Sequence, residues 1–183
     1  MTFGFSPRQA LLVALVVLFT TPPSNADTET SPADVFTRLK AMEGSWDAKV
    51  ELIAGEAEEE TGPLTARHDF RVSGAGTVVM ETMGAGSDHE MINMYHMDGD
   101  DLVLTHYCAG GNQPTMKLDR EMLAQGKLHF DFTGGTNLDP ALDDHIHSAT
   151  LDWNEDGTVS SDWTSWSGGA EAAVMQFVLN REQ

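Results

Sequence analysis

The sequence predicts an all-β fold: an antiparallel meander β-barrel of about ten strands, preceded by one short helix. Three observations carry this prediction. Apolar residues alternate with polar ones through most of the chain, as where Trp46, Ala48, Val50 and Leu52 face one way and Asp47, Lys49 and Glu51 the other. Glycine-rich turns recur at short, regular intervals, and no long helical pattern interrupts them. Closure into a barrel leaves no unpaired edge in so long a sheet. A ring of about ten strands is also wider than side chains alone readily fill, so room for a small ligand is expected inside.

The elements follow in order. Residues 1–26 carry Arg8, an apolar run at 10–19 (ALLVALVVLF), the breaker pair Pro22-Pro23 and small residues at Ser24 and Ala26. That is the layout of a secretory signal peptide, and the apolar run falls short of the roughly 20 residues a membrane span needs. The mature chain is expected to begin near Asp27, without a membrane anchor, and to be periplasmic or secreted. Residues 27–43 form a polar lead-in and a short amphipathic helix. Ser31 and Pro32 suit its start, and Val35, Phe36, Leu39 and Met42 form its apolar face.

Residues 44–183 form the barrel domain. The first strand opens at Gly44-Ser45-Trp46, and an acidic run at 56–60 (EAEEE) reads as a solvated hairpin tip. His68, Phe70 and Val72 then alternate inward. Turns at 73–76 and 84–87 bound a strand ending at Met83, and the next strand is expected over 89–97. Asp98-Gly99-Asp100 makes a hairpin into 102–108 (LVLTHYC), and a turn at 109–112 leads to a strand near 114–118. Further strands are expected at 127–133, 145–153, 159–166 and 172–180. Neither a second domain nor an internal repeat is visible.

Composition limits the partners. The 183 residues carry a formal net charge of −19, and removal of the signal takes away one basic residue, leaving −20. Such a surface repels nucleic acid and anionic membranes. The single cysteine, Cys108, has no partner for an internal disulfide, so packing must hold the fold.

Several segments carry a resemblance. Gly44-Ser45-Trp46, following a short helix, resembles the Gly-x-Trp signature of lipocalins and related calycins. Residues 81–83 and 89–91, 95–100 (YHMDGD), 104–108 (LTHYC), 111–114 (GNQP) and 145–150 (HIHSAT) resemble an uncharacterised family of exported bacterial proteins. The resemblance implies a calycin-like barrel and no established chemistry. Fatty-acid-binding proteins and nitrobindin-type haem proteins have barrels of this kind, but a shared fold does not assign function.

Candidate site residues come from the strand faces. Leu102, Leu104, His106 and Cys108 share one face of their strand, and His145 and His147 share a face with Ala149, Leu151 and Trp153. Residues two apart lie about 6.6 Å apart along a strand and point the same way. His106, Cys108, His145 and His147 are therefore a candidate metal shell, suited to zinc first and to copper or iron after it. His68, Glu81, His89, Tyr95, His96 and Asn112 are candidate ligand-contacting residues around it, for a small molecule or haem. A two- or four-residue loop at Asp98-Gly99 turns His89, Met91, Asn93 and Tyr95 inward, whereas a three-residue loop with a bulge turns in Glu90 and His96. The same residues also fit a hydrogen-bonded polar core without a metal. Three functions follow: a binding protein for a small ligand, metal or haem; an enzyme using a histidine base, a metal or a Cys108 thiol; or an interaction module. The ten methionines are expected to pack core and cavity walls.

Overall fold

A computed structural model describes Met1, residues 30–55 and residues 64–182. The expected signal segment and the acidic run at 56–60, expected as a hairpin tip, lie outside the described residues.

The helix α1 (Pro32–Ala41) starts where expected. Ser31 accepts from the Asp34 amide, and Asp34 accepts from the Ser31 amide in return, forming a reciprocal capping box behind Pro32. Its inward face of Val35, Phe36 and Leu39 is buried. Ten strands follow: β1 (Gly44–Ala54), β2 (Leu64–Ser73), β3 (Val78–Met83), β4 (Met91–Asp98), β5 (Asp101–Tyr107), β6 (Gln113–Leu118), β7 (Leu128–Thr136), β8 (His145–Trp153), β9 (Val159–Ser167) and β10 (Ala170–Arg181). Each pairs antiparallel with its neighbours in sequence, and β1 pairs with β10 from Trp46↔Arg181 to Ala54↔Val174, so the sheet is a closed barrel.

Two local features depart from expectation. A second short helix, α2 (Arg120–Ala124), fills the β6–β7 connection, with the Asp119 carboxylate accepting from the amides of Glu121 and Met122. In β8, a register shift between Ile146 and Ser148 leaves His147 as an extra residue without a partner in β9. The bulge breaks the simple alternation. His145 pairs with Trp166 while Ala149 pairs with Trp163, so His145 and Ala149 do not belong to one regular inward row.

A meander places alternate connections at opposite ends of the barrel. The helix α1, the β4–β5 turn and the β8–β9 turn share one end; the β3–β4, β5–β6 and β7–β8 connections share the other. The interior is divided accordingly. Val79, Leu102, Leu118, Leu128, Val159 and Leu179 are buried toward the α1 end, where Leu39 and Met42 join the same cluster. Burial of each such side chain contributes roughly 1.5–3 kcal/mol. Arg181 fastens the helix there by donating to the Ala41 and Glu43 carbonyls, and Trp46 Nε1 donates to the Met42 carbonyl. Toward the opposite end the inward strand positions His68, Glu81, Asn93 and His106 are polar and buried, and Asn112 and His145 are buried at the same end. The barrel has an apolar floor under α1 and an upper half in which the buried polar residues stand among apolar ones such as Val50 and Met83.

Candidate functional site

Register builds the centre of the polar half. Glu81 on β3 pairs with Asn93 on β4, and Asn93 pairs with His106 on β5, so the three stand in one row across the sheet. The β4–β5 hairpin sets this row. Asp98 pairs with Asp101 across a two-residue loop, and Gly99 at its first position takes φ +60°, as a type II′ turn requires. This register turns Asn93 and Tyr95 inward, and His96, paired with Val78 and Val103, falls on the opposite face.

The row is a hydrogen-bonded chain. Glu81 Oε1 accepts from His68 Nδ1 at 2.8 Å, and Oε2 accepts from Asn93 Nδ2 and Tyr95 Oη, each at 2.8 Å. Asn93 Oδ1 then meets His106 Nδ1 at 2.7 Å. Burial raises the Glu81 pKa, but the His68 hydrogen bond and charge, together with Asn93 and Tyr95, outweigh it and hold the carboxyl below its usual range. Tyr95 is pushed the other way, by burial first and the adjacent carboxylate second, and stays a donor.

Protonation states follow from this chain. A carboxylate only accepts, so the Asn93 amide must turn its NH2 to Glu81 and its oxygen to His106. His106 must then donate from Nδ1. Burial pushes its pKa down to about 4, partly opposed by the Glu81 charge, so the ring is neutral near pH 7 and Nε2 carries a lone pair. That nitrogen is buried and has no hydrogen-bond partner, and the same holds for His68 Nε2 and Asn112 Oδ1. Aromatic rings flank both imidazoles: Trp163 lies 5.7 Å from His106 and Phe177 5.1 Å from His68, centroid to centroid.

A second cluster lies beside the bulge. His145 Nδ1 donates to the Asp143 carbonyl at 2.9 Å, which makes its Nε2 the acceptor for His147 Nδ1 at 3.0 Å. The His147 ring stacks on Trp166 at 3.7 Å and on Phe132 at 4.8 Å. Burial first, and His145 second, lower the His147 pKa. The loop leading into β8 is fixed against the β5–β6 turn: Asn112 Nδ2 donates to the Asp144 carbonyl, and Thr136 and Asn137 both donate to Gln113 Oε1.

Of the ten residues singled out by sequence, His68, Glu81, Tyr95 and His106 meet in one network. His145 and His147 meet each other, and Asn112 walls the same end. Cys108 lies just past β5, half-buried in the turn, where its sulfur accepts from the Gly110 amide. His89 is exposed in the β3–β4 connection rather than in a strand, and His96 is half-buried on the opposite face from Tyr95. The four candidate metal ligands do not form one shell: among the described residues, no group of three or more His, Cys, Asp or Glu side chains is disposed to hold a metal ion. Trp163, Phe132 and Trp166 were not singled out, because an aromatic in a β-strand reads as ordinary core until its neighbours are known.

Comparison with known proteins brings no family: no protein-family model matches the chain, and no curated protein is detectably similar to it.

Proposed function

We propose that this is an exported binding protein that holds a small ligand inside the polar half of the barrel, against Nε2 of His106 and His68. One observation carries the reading. Two buried imidazoles have their Nδ1 atoms tied by Asn93 and Glu81 while both Nε2 atoms lack partners. An unmet buried polar atom costs about 1–3 kcal/mol, and such atoms in a native interior call for an explanation. A ligand that engages them removes the cost.

Zinc and haem iron belong among the ligands to be tested. Neutral imidazole coordinates both, and the His68–Glu81 pair has the carboxylate-backed form common behind metal-binding histidines. The same pair favours a second reading, in which His68 oriented by Glu81 serves as a general base.

The test begins with untagged protein purified from its native compartment, followed by native mass spectrometry and elemental analysis. A near-stoichiometric small molecule or metal is expected in the wild type and lost from His106→Ala and His68→Ala variants that keep the wild-type circular dichroism spectrum. Wild-type protein with neither ligand nor metal would sink the reading.

A further inference from the structure

Three buried side-chain atoms of the polar half lack a partner, and local hydrogen bonding makes two of them, His106 Nε2 and Asn112 Oδ1, acceptors. Glu81 takes three hydrogens and offers none. Asn93 gives one amide hydrogen to Glu81 and its oxygen to His106, which fixes His106 as the Nδ1–H tautomer and leaves a lone pair at Nε2. Asn112 donates to the Asp144 carbonyl and leaves its oxygen unpartnered. His68 gives its Nδ1 hydrogen to Glu81, and its Nε2 is the third unpartnered atom. The buried polar and charged side chains include no lysine or arginine among the described residues. Burying an anion needs a cation or converging N–H groups, and this interior instead holds the Glu81 charge.

We infer that the ligand is an electron-pair acceptor, either a metal cation or a neutral or cationic molecule bearing N–H or O–H hydrogens, and that carboxylates and other anions are rejected. This rests on the interior-binding reading above and adds the ligand's chemical class. Trp163 lies against His106 and Phe177 against His68, so a guest at either Nε2 meets an aromatic ring. A buried carboxylate with no buried lysine or arginine among the described residues separates the barrel from one built to take a fatty acid by its carboxylate.

The experiment follows the ring-nitrogen resonances of full-length mature protein labelled with nitrogen-15 in histidine, at pH 7. Ligand-free protein is titrated separately with zinc chloride, benzylamine and sodium benzoate. The His106 Nε2 resonance is expected to be that of an unprotonated nitrogen. It should move with zinc or with benzylamine at a concentration at least about tenfold below any response to benzoate. Movement with zinc alone identifies a metal site, and movement with benzylamine identifies a hydrogen-bond donor site. A protonated Nε2 in the free protein, a benzoate response equal to the others, or no response to either zinc or benzylamine overturns the inference. The two readings fail separately: a native ligand that proves to be an anion defeats the class while leaving the barrel a binding protein.

Discussion

His106 links the buried network to the stability of the protein. Its pKa falls from an ordinary 6.5 to about 4 on folding, because burial disfavours the cation more than Glu81 favours it. Above pH 6.5 both the folded and unfolded forms are neutral there, and the shift has no effect. Below it the unfolded chain takes up a proton that the folded protein refuses, so stability falls with pH until about 4. The full effect is ~3 kcal/mol. Glu81 acts in the same direction at lower pH, since its depressed pKa gives stability that is present above the unfolded value of 4.5 and lost as pH falls through the folded one. Urea unfolding between pH 7.5 and 4.5 is expected to show wild-type stability dropping by ~2–3 kcal/mol. In His106→Gln the drop should be much smaller, from a lower starting stability; equal slopes in the two proteins would exclude His106 as the cause. The inward placement of His68 and His106 was legible from period-two alternation alone, whereas that of Tyr95 waited on the hairpin register. The role of Asn93 was not legible either, because its face depended on a hairpin loop whose length two turn types left open. Cys108 looked like part of the His106 face only if β5 ran one residue further than it does.

At the scale of elements, what the sequence showed clearly is what repeats. The alternation gave ten strands, and the Ser31-Pro32 start with its apolar face at 35, 36, 39 and 42 gave α1. The singular features escaped. The single turn of α2 has too few residues to show a helical period, although Asp119 supplies a recognisable cap. The β8 bulge has no sequence signature either, yet it takes His145 and His147 out of the row that ends at Trp153. A metal shell inferred from regular alternation fails where one inserted residue changes the phase. The helix α1 offers a test of its role as the floor. Leu39 is fully buried within the cluster that also holds Leu102 and Leu104. Leu39→Ala is expected to lower unfolding stability by ~2–5 kcal/mol, a cavity effect. Ser31→Ala, which removes only the cap, should cost ~1 kcal/mol. Measured losses of similar size for the two would mean that the helix contributes local order but does not pack into the barrel.

For the whole molecule, the decisive contact is the β1–β10 seam. The polar half needs walls on every side, because the depressed His106 pKa and the strength of the hydrogen bonds to Glu81 both depend on water being kept out. One free cysteine supplies no covalent support, so the hydrogen-bonded ladder from Trp46↔Arg181 to Ala54↔Val174 must close the wall. Closure makes a distinctive prediction about backbone exchange. In an edge strand every second amide faces solvent, giving alternating fast and slow exchange along the strand. In a closed barrel both sets are bonded. Amides of Ala48, Lys49, Val50 and Glu51 on β1, and of Phe177, Val178 and Leu179 on β10, are therefore all expected to exchange slowly, with protection close to that of Tyr95 and Leu104 at the centre of β4 and β5. Hydrogen exchange followed by NMR at single-residue resolution reads this directly. Fast exchange at alternate positions of β1 and β10 would show an open seam, admit water beside His68 and remove the dry setting on which the ligand site depends.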